Sequence, residues 1–297
     1  MKRFSTGIPV LDEKLGGGLL PGTMTVVVGA SGIGKTQFGI QFASVGSEQE
    51  KQRGVIFDMA ARMDSQCHRE YAERIAQWTL RQEESEQNVD YNAVLDLRRS
   101  LGDYFQALSK KGSRVTRRDL DFDDWHDWQA ELSKHLDTTI AFFFSHFVRG
   151  VRRVVIDGIE PVEHQGESIQ FELLEYVYHQ ILQKDAEWVA RDLFRQHYRE
   201  KETEIHKYLY DRKQIACLVL YTSPETMLDA MIEKPLDEGD LLAGANTIIY
   251  MGKIRDGNRL NRALYISKHR GSPCSDEIVR YQIDEHGLYL LPPEPQS

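Results

Sequence analysis

Short apolar runs alternate along the chain with longer stretches in which apolar residues recur at helical spacing. The runs that predict strands are residues 24–28, 54–59, 153–157, 215–221, 247–251, 262–267 and 278–283. Apolar runs of this length, separated by helical segments, are typical of a sheet that is covered on both faces. The pattern predicts an α/β fold.

The predicted helices differ in length and charge. A short helix and a glycine-rich turn occupy residues 4–22, and helices follow at 64–81 and 129–148. The stretch 169–213 keeps apolar residues at helical spacing among many charged side chains of both signs. Two interpretations of this last stretch stay open. It is either a projecting helical hairpin that presents a partner or self-association surface, or a helix pair that lies flat on the core.

Charge dominates residues 82–127, where the apolar pattern weakens. Basic residues cluster at 110–118, and acidic residues cluster at 119–127. The basic cluster alone would suggest an anion-binding loop, but the neighbouring acids balance it and can cap the next helix. We therefore interpret this segment as a solvated surface insertion.

Composition narrows the class of protein. The chain has 297 residues, a formal net charge of −9 and a pI near 5.6. This balance argues against a general nucleic-acid surface, because phosphate backbones are bound by clustered Lys and Arg. Three widely spaced cysteines, Cys67, Cys217 and Cys274, indicate a reduced compartment. From the residues at the N-terminus we expect no signal peptide, and the longest apolar run, residues 140–148, is too short to span a bilayer. We expect a cytoplasmic protein that does not enter a membrane.

A glycine-rich segment follows the first predicted strand. Its pattern, Gly-x-x-x-x-Gly-Lys-Thr, lets successive backbone N–H groups point inward at phosphate oxygens. Lys35 is predicted to reach the β- and γ-phosphates, and the Thr36 hydroxyl is predicted to hold Mg²⁺. The helix that follows turns its positive N-terminal end to the same phosphates. The predicted nucleotide-binding residues of this segment are Gly29, Ala30, Ser31, Gly32, Ile33, Gly34, Lys35, Thr36 and Gln37.

Two residues at other strand ends are predicted to complete the site. Asp157 follows an apolar strand, at the carboxyl end where open parallel sheets build their sites. In a phosphate-loop protein such an aspartate orients the water shell of Mg²⁺. Ser223 follows the strand at 215–221, and its hydroxyl is predicted to lie near the γ-phosphate.

The order of the small motifs around the loop resembles that of the RecA superfamily, and most closely its KaiC branch. Besides the loop, the residues that carry the resemblance are Thr6, Gly7, Leu11, Asp12, Leu15, Gly16, Gly17, Gly18, Gly22 and Asp157, the last in the form Arg-Val-Val-Ile-Asp. The resemblance covers nearly the whole chain apart from residues 82–127 and 184–213.

The resemblance implies a RecA-like P-loop NTPase fold with ATP and Mg²⁺ as cofactors. In this fold a mostly parallel central sheet is flanked by helices. We expect a single domain over residues 1–297, with a charged insertion at about 82–127 and an extended helical segment at about 163–213.

The resemblance also assigns a role across a subunit interface to two cations. In KaiC-like proteins the strand that carries Lys-x-Arg-Gly-Ser faces the nucleotide of the neighbouring subunit, and Lys268 and Arg270 stand in that motif here. Cations supplied in trans would stabilise the charge of the γ-phosphate during its transfer. The alternative is that both are surface cations on a hairpin. The trans role implies a homo-oligomer, either a ring or a filament, with nucleotide at its interfaces.

The chain departs from the family where the attacking water is activated. Ala60 and Ala61 occupy the positions after the second strand where the family places one or two glutamates. Alanine cannot act as a general base. Asp58 is the first candidate to replace them, with Asp64 and Glu160 as others. We expect hydrolysis that is slow, or that uses a displaced carboxylate.

Two further departures bear on function. The clock protein of the KaiC branch phosphorylates itself on a neighbouring Ser-Thr pair. Leu242 and Ala243 occupy those positions here, so we expect no autokinase activity of that kind. The second mobile loop through which recombinases bind DNA corresponds to residues 225–240, which carry six acidic residues and one lysine. That charge repels DNA phosphates.

We therefore expect a KaiC-like, RecA-fold protein that binds ATP and ADP and hydrolyses ATP slowly. Its nucleotide state would control its oligomerisation or the binding of a protein partner. Two alternatives stay open. One is a DNA-binding recombinase paralogue resembling RadA or RadB, in which the basic residues at 110–118 would contact DNA. The other is a nucleotide-binding scaffold without hydrolysis.

Overall fold

The predicted apolar runs form the strands of one sheet. The computed structural model describes residues 2–60, 67–83, 89–108, 136–161, 168–233 and 239–292. The strands within these residues are β1 (Met24–Gly29), β2 (Val55–Asp58), β3 (Tyr104–Gln106), β4 (Arg153–Ile159), β5 (Ala216–Thr222), β6 (Thr247–Asp256), β7 (Arg259–His269), β8 (Val279–Asp284) and β9 (Gly287–Leu290). Their order across the sheet is β3-β2-β4-β5-β1-β6-β7-β8-β9.

Most of the sheet is parallel. Neighbouring strands from β3 to β6 in that order pair in parallel, and β7, β8 and β9 add an antiparallel extension. Asp58 at the end of β2 pairs with Asp157, two residues before the end of β4, and Gly29 and Thr222 are partners at the ends of β1 and β5. One edge of the sheet therefore collects the residues that follow these strands.

Helices cover both faces of the sheet. They are α1 (Pro9–Lys14), α2 (Lys35–Ser44), α3 (Gly46–Gln49), α4 (Cys67–Ala76), α5 (Tyr91–Leu95), α6 (residues 136–148), α7 (Ile169–Tyr176), α8 (Ala186–Phe194), α9 (Tyr198–Ile205), α10 (Leu228–Glu233) and α11 (Gly239–Gly244). Val26 and Val28 of β1 belong to a core with Phe143 of α6, whereas Val27 belongs to a second core with Phe38 of α2. This alternation is the period of two that a strand buried on both faces requires. Among the described helices, none has the length and apolar character needed to cross a membrane.

The helical stretch predicted over residues 169–213 is divided into shorter helices. A π-helical turn (Val177–Leu182) follows α7, and 3₁₀ turns precede and follow α9 (Arg195–His197 and Arg212–Gln214). Arg195 has a φ of 46°, a conformation that the Cβ atom disfavours, where α8 ends.

These helices lie against the sheet. Leu173 of α7, Phe194 of α8 and Ile205 of α9 are buried in the same core as Val26 of β1. The stretch therefore packs on the core and does not project as a hairpin, although it forms three short α-helices and not the pair of that interpretation. Among the large apolar side chains of these helices that the structure describes, Trp188 of α8 is the most exposed, with 57% of its surface accessible.

Part of the charged insertion lies outside the described residues. The basic cluster at 110–118 and the acidic cluster at 119–127 are among those positions, so both interpretations of them stay predictions. Ala61, Asp64 and residues 234–238 of the acidic loop also lie outside the described ranges. The described part of the insertion contains α5 and the edge strand β3, which the charge-dominated pattern does not predict.

Candidate nucleotide-binding site

The glycine-rich loop connects the end of β1 to the start of α2. Gly34 precedes α2 with a φ of 114°, and a Cβ atom at this position would lie 2.5 Å from Cδ1 of Ile283. The left-handed backbone favours glycine at this position, and a side chain there would also have to displace the end of the Ile283 side chain. Tyr281 of β8 donates its hydroxyl to the carbonyl oxygen of Ile33 at 2.8 Å. The loop is therefore supported by the hairpin of β8 and β9, a contact that the motif alone does not predict.

Lys35 lies buried at the start of α2 and turns its ammonium group back into the loop. Its Nζ donates to the carbonyl oxygens of Gly29 at 2.8 Å and Ala30 at 2.9 Å. Burial lowers its pKa to about 8, and the negative charge of Asp157 offsets only part of this effect. No carboxylate among the described residues forms an ion pair with it. An ammonium held by neutral carbonyls is suited to a phosphate, which would supply the missing negative charge.

Thr36 and Asp157, the two residues predicted to hold Mg²⁺, lie next to each other. The Thr36 hydroxyl donates to Oδ2 of Asp157 at 2.8 Å, and the backbone N–H of Gly158 donates to Oδ1 at 2.7 Å. Burial alone would raise the pKa of Asp157, but the hydrogen bond and charge of His68 lower it, helped by Thr36 and Lys35. The side chain is therefore a carboxylate at neutral pH.

This donor set fits a magnesium ion that arrives with a nucleotide. Magnesium prefers oxygen ligands and is usually held by one or two carboxylates together with substrate phosphates. A threonine hydroxyl and an ionised carboxylate 2.8 Å apart match that requirement. Within the described residues, no group of three or more His, Cys, Asp or Glu side chains could hold a metal without such phosphates.

Asp58 lies beside Asp157 but faces the interior. It is fully buried, its Oδ1 accepts the N–H of Ala60 at 2.8 Å, and its Oδ2 accepts the hydroxyl of Tyr104 at 2.5 Å. Burial raises its pKa, and the charge of Asp157 acts in the same direction, although His68 and Tyr104 oppose the rise. As a base for the attacking water, Asp58 remains a prediction, and its burial means that it must first become accessible to water.

The other predicted residues near the loop occupy supporting positions. Ser223 donates its backbone N–H to the Gly29 carbonyl oxygen at 3.0 Å, and its hydroxyl oxygen accepts the N–H of Glu225 at 3.1 Å. Gln37 accepts a hydrogen bond from Nη2 of Arg74 at 3.1 Å through its side-chain oxygen. Glu160 donates its backbone N–H to the side chain of Gln170 at 3.1 Å, and nothing in these contacts directs its carboxylate to the loop.

Lys268 and Arg270 lie far from the loop of their own chain. Lys268 pairs with Ile248 at the start of β6, and Ile248 pairs with Val26 near the start of β1. Both cations therefore stand at the edge of the sheet opposite the one where β1 ends. Lys268 donates to the Ala243 carbonyl oxygen at 2.6 Å, and the side chain of Arg270 is exposed.

His68, Tyr104 and Tyr281 are site residues that the sequence did not reveal. His68 reaches Oδ2 of Asp157 at 3.0 Å, and the three residues come from α4, β3 and β8. A single histidine on an amphipathic helix and two tyrosines in separate strands carry no pattern of their own. Only the folded chain brings them together around the loop and Asp157.

A comparison with protein families tests the resemblance. The model of the KaiC ATPase family matches residues 4–189, which is more than half of the chain and includes the loop, Asp58 and Asp157. The chain belongs to the KaiC family of ATPases. It is therefore a RecA-fold ATP-binding protein, as the sequence predicts. Lys268 and Arg270 lie outside the part of this family member that the model matches.

Solved structures support the fold of this family member. The crystal structure of the KaiC-like protein PH0186 from the hyperthermophilic archaeon Pyrococcus horikoshii OT3 matches over 98% of this chain and 99% of that chain. The two are 16% identical, with a TM-score of 0.52, so the likeness concerns the fold alone. No curated protein matches the chain.

Proposed function

We propose that this chain binds Mg-ATP between the glycine-rich loop and Asp157 and hydrolyses it slowly. We further propose that its nucleotide state controls its own oligomerisation or the binding of a protein partner. The observation that carries the proposal is the buried ammonium of Lys35, held by two loop carbonyls, beside the hydrogen-bonded pair of Thr36 and Asp157. A triphosphate supplies the anionic partners that this ammonium needs, and a magnesium ion on the phosphates finds oxygen ligands on Thr36 and Asp157.

Slow hydrolysis is supported by the residues at and just after the end of β2. Ala60 replaces a glutamate of the family, and both oxygens of Asp58 already accept hydrogen bonds. Neither of these two positions therefore offers a water near the γ-phosphate an accessible carboxylate to take its proton. We expect ATP turnover far below the median enzyme rate of about 10 per second.

Steady-state turnover with and without Mg²⁺ tests this proposal, with ATP binding measured in parallel. If Asp58 acts as the base after a rearrangement, Asp58→Asn removes the residual turnover and leaves ATP binding intact, whereas Glu160→Gln leaves both unchanged. Binding of Mg-ATP with no turnover would make the chain a nucleotide-binding scaffold. Turnover near the median rate would mean that another base acts.

The positions of Lys268 and Arg270 support a role in a neighbouring subunit. Because both stand at the opposite edge of the sheet from their own loop, they can meet a γ-phosphate only on another copy of the chain. An interface of this kind is head-to-tail, and it closes into a ring or extends as a filament. ATP and assembly would then strengthen each other.

Mass photometry tests this role. We expect the wild-type chain to assemble with a non-hydrolysable ATP analogue more than with ADP, and Arg270→Ala to remain folded but lose most of that difference. Arg255→Ala, which removes another exposed cation of the antiparallel strands, is the matched control and should assemble normally. A wild type that stays monomeric with both nucleotides at micromolar concentration would remove the trans role.

A further inference from the structure

A histidine of α4 contacts the carboxylate that the proposed function assigns to magnesium. His68 stands in the first turn of α4, and its side chain is almost fully buried between the ends of β2 and β4. Its Nε2 lies 3.0 Å from Oδ2 of Asp157, the oxygen that also accepts the Thr36 hydroxyl. The connection from β2, which in the family carries the glutamates, here supplies an imidazole to Asp157.

The hydrogen bonds of Asp157 define the form of the imidazole. A carboxylate is only an acceptor, so the proton between the two groups belongs to Nε2 of His68. Oδ2 therefore receives two donors, from His68 and from Thr36, and Oδ1 receives the backbone N–H of Gly158. These three contacts come from α4, α2 and the chain after Asp157, and together they leave the carboxylate one orientation.

The other side of the imidazole faces residues of β2 and β3. Nδ1 of His68 faces Oδ2 of Asp58 at 3.8 Å, and the ring of Tyr104 lies 5.3 Å from the histidine ring, centre to centre. Tyr104 and the N–H of Ala60 in turn hold Asp58. Buried neighbours therefore orient His68 itself. A side chain that positions another must be fixed in this way by its own surroundings.

We propose that His68 is a positioning residue of this site, which holds Oδ2 of Asp157 beside the Thr36 hydroxyl so that both oxygens are ready for the magnesium ion of a bound nucleotide. This inference rests on the proposed function. Partners that orient a metal ligand through a hydrogen bond typically contribute 10- to 100-fold to metal affinity, although they do not touch the metal. His68 would act through Asp157 and would not itself contact the nucleotide.

A purely structural histidine would behave differently. Loss of a packing residue weakens nucleotide binding to a similar degree with and without Mg²⁺, because the whole pocket is disturbed. Loss of a positioning residue weakens the part of the affinity that depends on Mg²⁺ and leaves binding in EDTA unchanged. The ratio of the two affinities therefore separates the roles.

The test uses the full chain, a fluorescent ATP analogue and a Mg²⁺ titration, with variants at position 68. His68→Gln places an amide N–H near the position of Nε2, and His68→Asn places it near Nδ1, out of reach of Asp157. His68→Leu fills the space without a donor. We expect Asn and Leu to raise the Mg²⁺ concentration for half-maximal binding by about tenfold or more. Gln should stay within about threefold of wild type, with affinities in EDTA equal throughout.

Each outcome bears on the inference. Asn and Leu variants with wild-type Mg²⁺ dependence would overturn it, as would equal losses in Mg²⁺ and in EDTA. If His68→Leu does not fold, the contrast between Gln and Asn, which differ by one methylene, carries the test alone. A wild type that binds the analogue under neither condition would instead remove the proposed function, and with it this inference.

Discussion

Two buried cations lie at opposite ends of the parallel strands, Arg153 at the start of β4 and Lys35 just after the end of β1. Arg153 is 0% exposed and Lys35 is 7% exposed, so burial does not distinguish them. Their partners do. The comparison separates a cation that stabilises the fold from a cation that is suited to a ligand.

Arg153 has a full set of protein partners. Its Nε donates to Oε2 of Glu50 at 2.7 Å, and its Nη1 donates to the carbonyl oxygens of Ser5 at 2.7 Å and Phe42 at 2.9 Å. Its Nη2 donates to the side chain of Gln49 at 2.6 Å. A buried guanidinium with a carboxylate and several carbonyls has its charge and donors satisfied. It ties the N-terminus, α2 and α3 to the start of β4.

Lys35 has only the two carbonyl oxygens of its own loop as hydrogen-bond partners among the described residues. Burial lowers the pKa of Lys35 to about 8, and the charge of Asp157 offsets only part of this effect. The charge of Lys35 is therefore only partly compensated by the described residues. A nucleotide phosphate is the partner that the loop geometry favours.

The largest effect that this comparison predicts is on stability at Arg153. Arg153→Met leaves Glu50 and three carbonyl or amide oxygens without their donor, and we expect the free energy of unfolding to fall by about 4 kcal/mol. Urea unfolding measures it. Arg152→Met is the matched control, because Arg152 donates to carbonyl oxygens alone among the described residues, and its loss should be much smaller. Equal losses for the two variants would contradict the assignment of Arg153.

The next effect is the pH dependence of ATP affinity. The pKa of Lys35 in the free protein is about 8, so above that pH the lysine is mostly neutral and ATP binding must restore its proton. We expect the dissociation constant of Mg-ATP to change little from pH 7 to 8 and then rise by up to about tenfold per pH unit. Calorimetry in buffers of different ionisation enthalpy should show proton uptake. A flat profile, with no proton uptake at pH 9, would contradict the role of Lys35.

A smaller effect concerns the support of the loop by β8. Tyr281→Phe removes the hydroxyl that holds the Ile33 carbonyl oxygen, and we expect a loss of about 1 kcal/mol in the free energy of unfolding. Because the carbonyl is then free to turn, Mg-ATP affinity should fall by a few-fold, about fivefold at most. Tyr289→Phe, at an exposed tyrosine of β9, is the control. Unchanged affinity in Tyr281→Phe would mean that the loop needs no such support.

The smallest effect is the stability change on replacing Lys35. The folded pKa of Lys35 lies below its ordinary value of 10.5, so the unfolded chain holds this proton more tightly between pH 8 and 10.5. Lys35 therefore penalises folding fully below pH 8, and the penalty decreases as pH rises through that window. We expect Lys35→Met to be at least as stable as wild type at pH 7, with its advantage shrinking towards pH 10. A large destabilisation at pH 7 would place Lys35 in the same class as Arg153.

The sequence predicts the parts of this molecule that depend on local pattern. The buried strands β1, β2, β4 and β5 are apolar runs, and the loop is a motif in which each residue type has a physical reason. Asp157 was a candidate because it lies near the end of a predicted strand, where such sites form, and the structure places it against Thr36. The KaiC-family match confirms the resemblance drawn from these residues.

The remainder depends on contacts between distant segments. His68 and Tyr104 meet Asp58 only because α4 and β3 fold back beside β2, and neither segment has a pattern that indicates this. Arg153 looks like the polar first residue of a strand, and its environment becomes visible only when the N-terminus, α2 and α3 surround it. Apolar residues recur at helical spacing over residues 169–213, but this spacing does not indicate that a helix ends at Arg195.

The most direct test of the central claim is calorimetric titration of Mg-ATP into wild type, Lys35→Met and Arg153→Met, each at a temperature where it is folded. We predict that wild type and Arg153→Met bind with similar affinity, because Arg153 lies at the far end of the sheet. Lys35→Met should bind about 100-fold more weakly, as expected for the loss of a charge-assisted contact worth about 3 kcal/mol. Near wild-type affinity in a folded Lys35→Met variant would contradict the claim that this loop binds the phosphates.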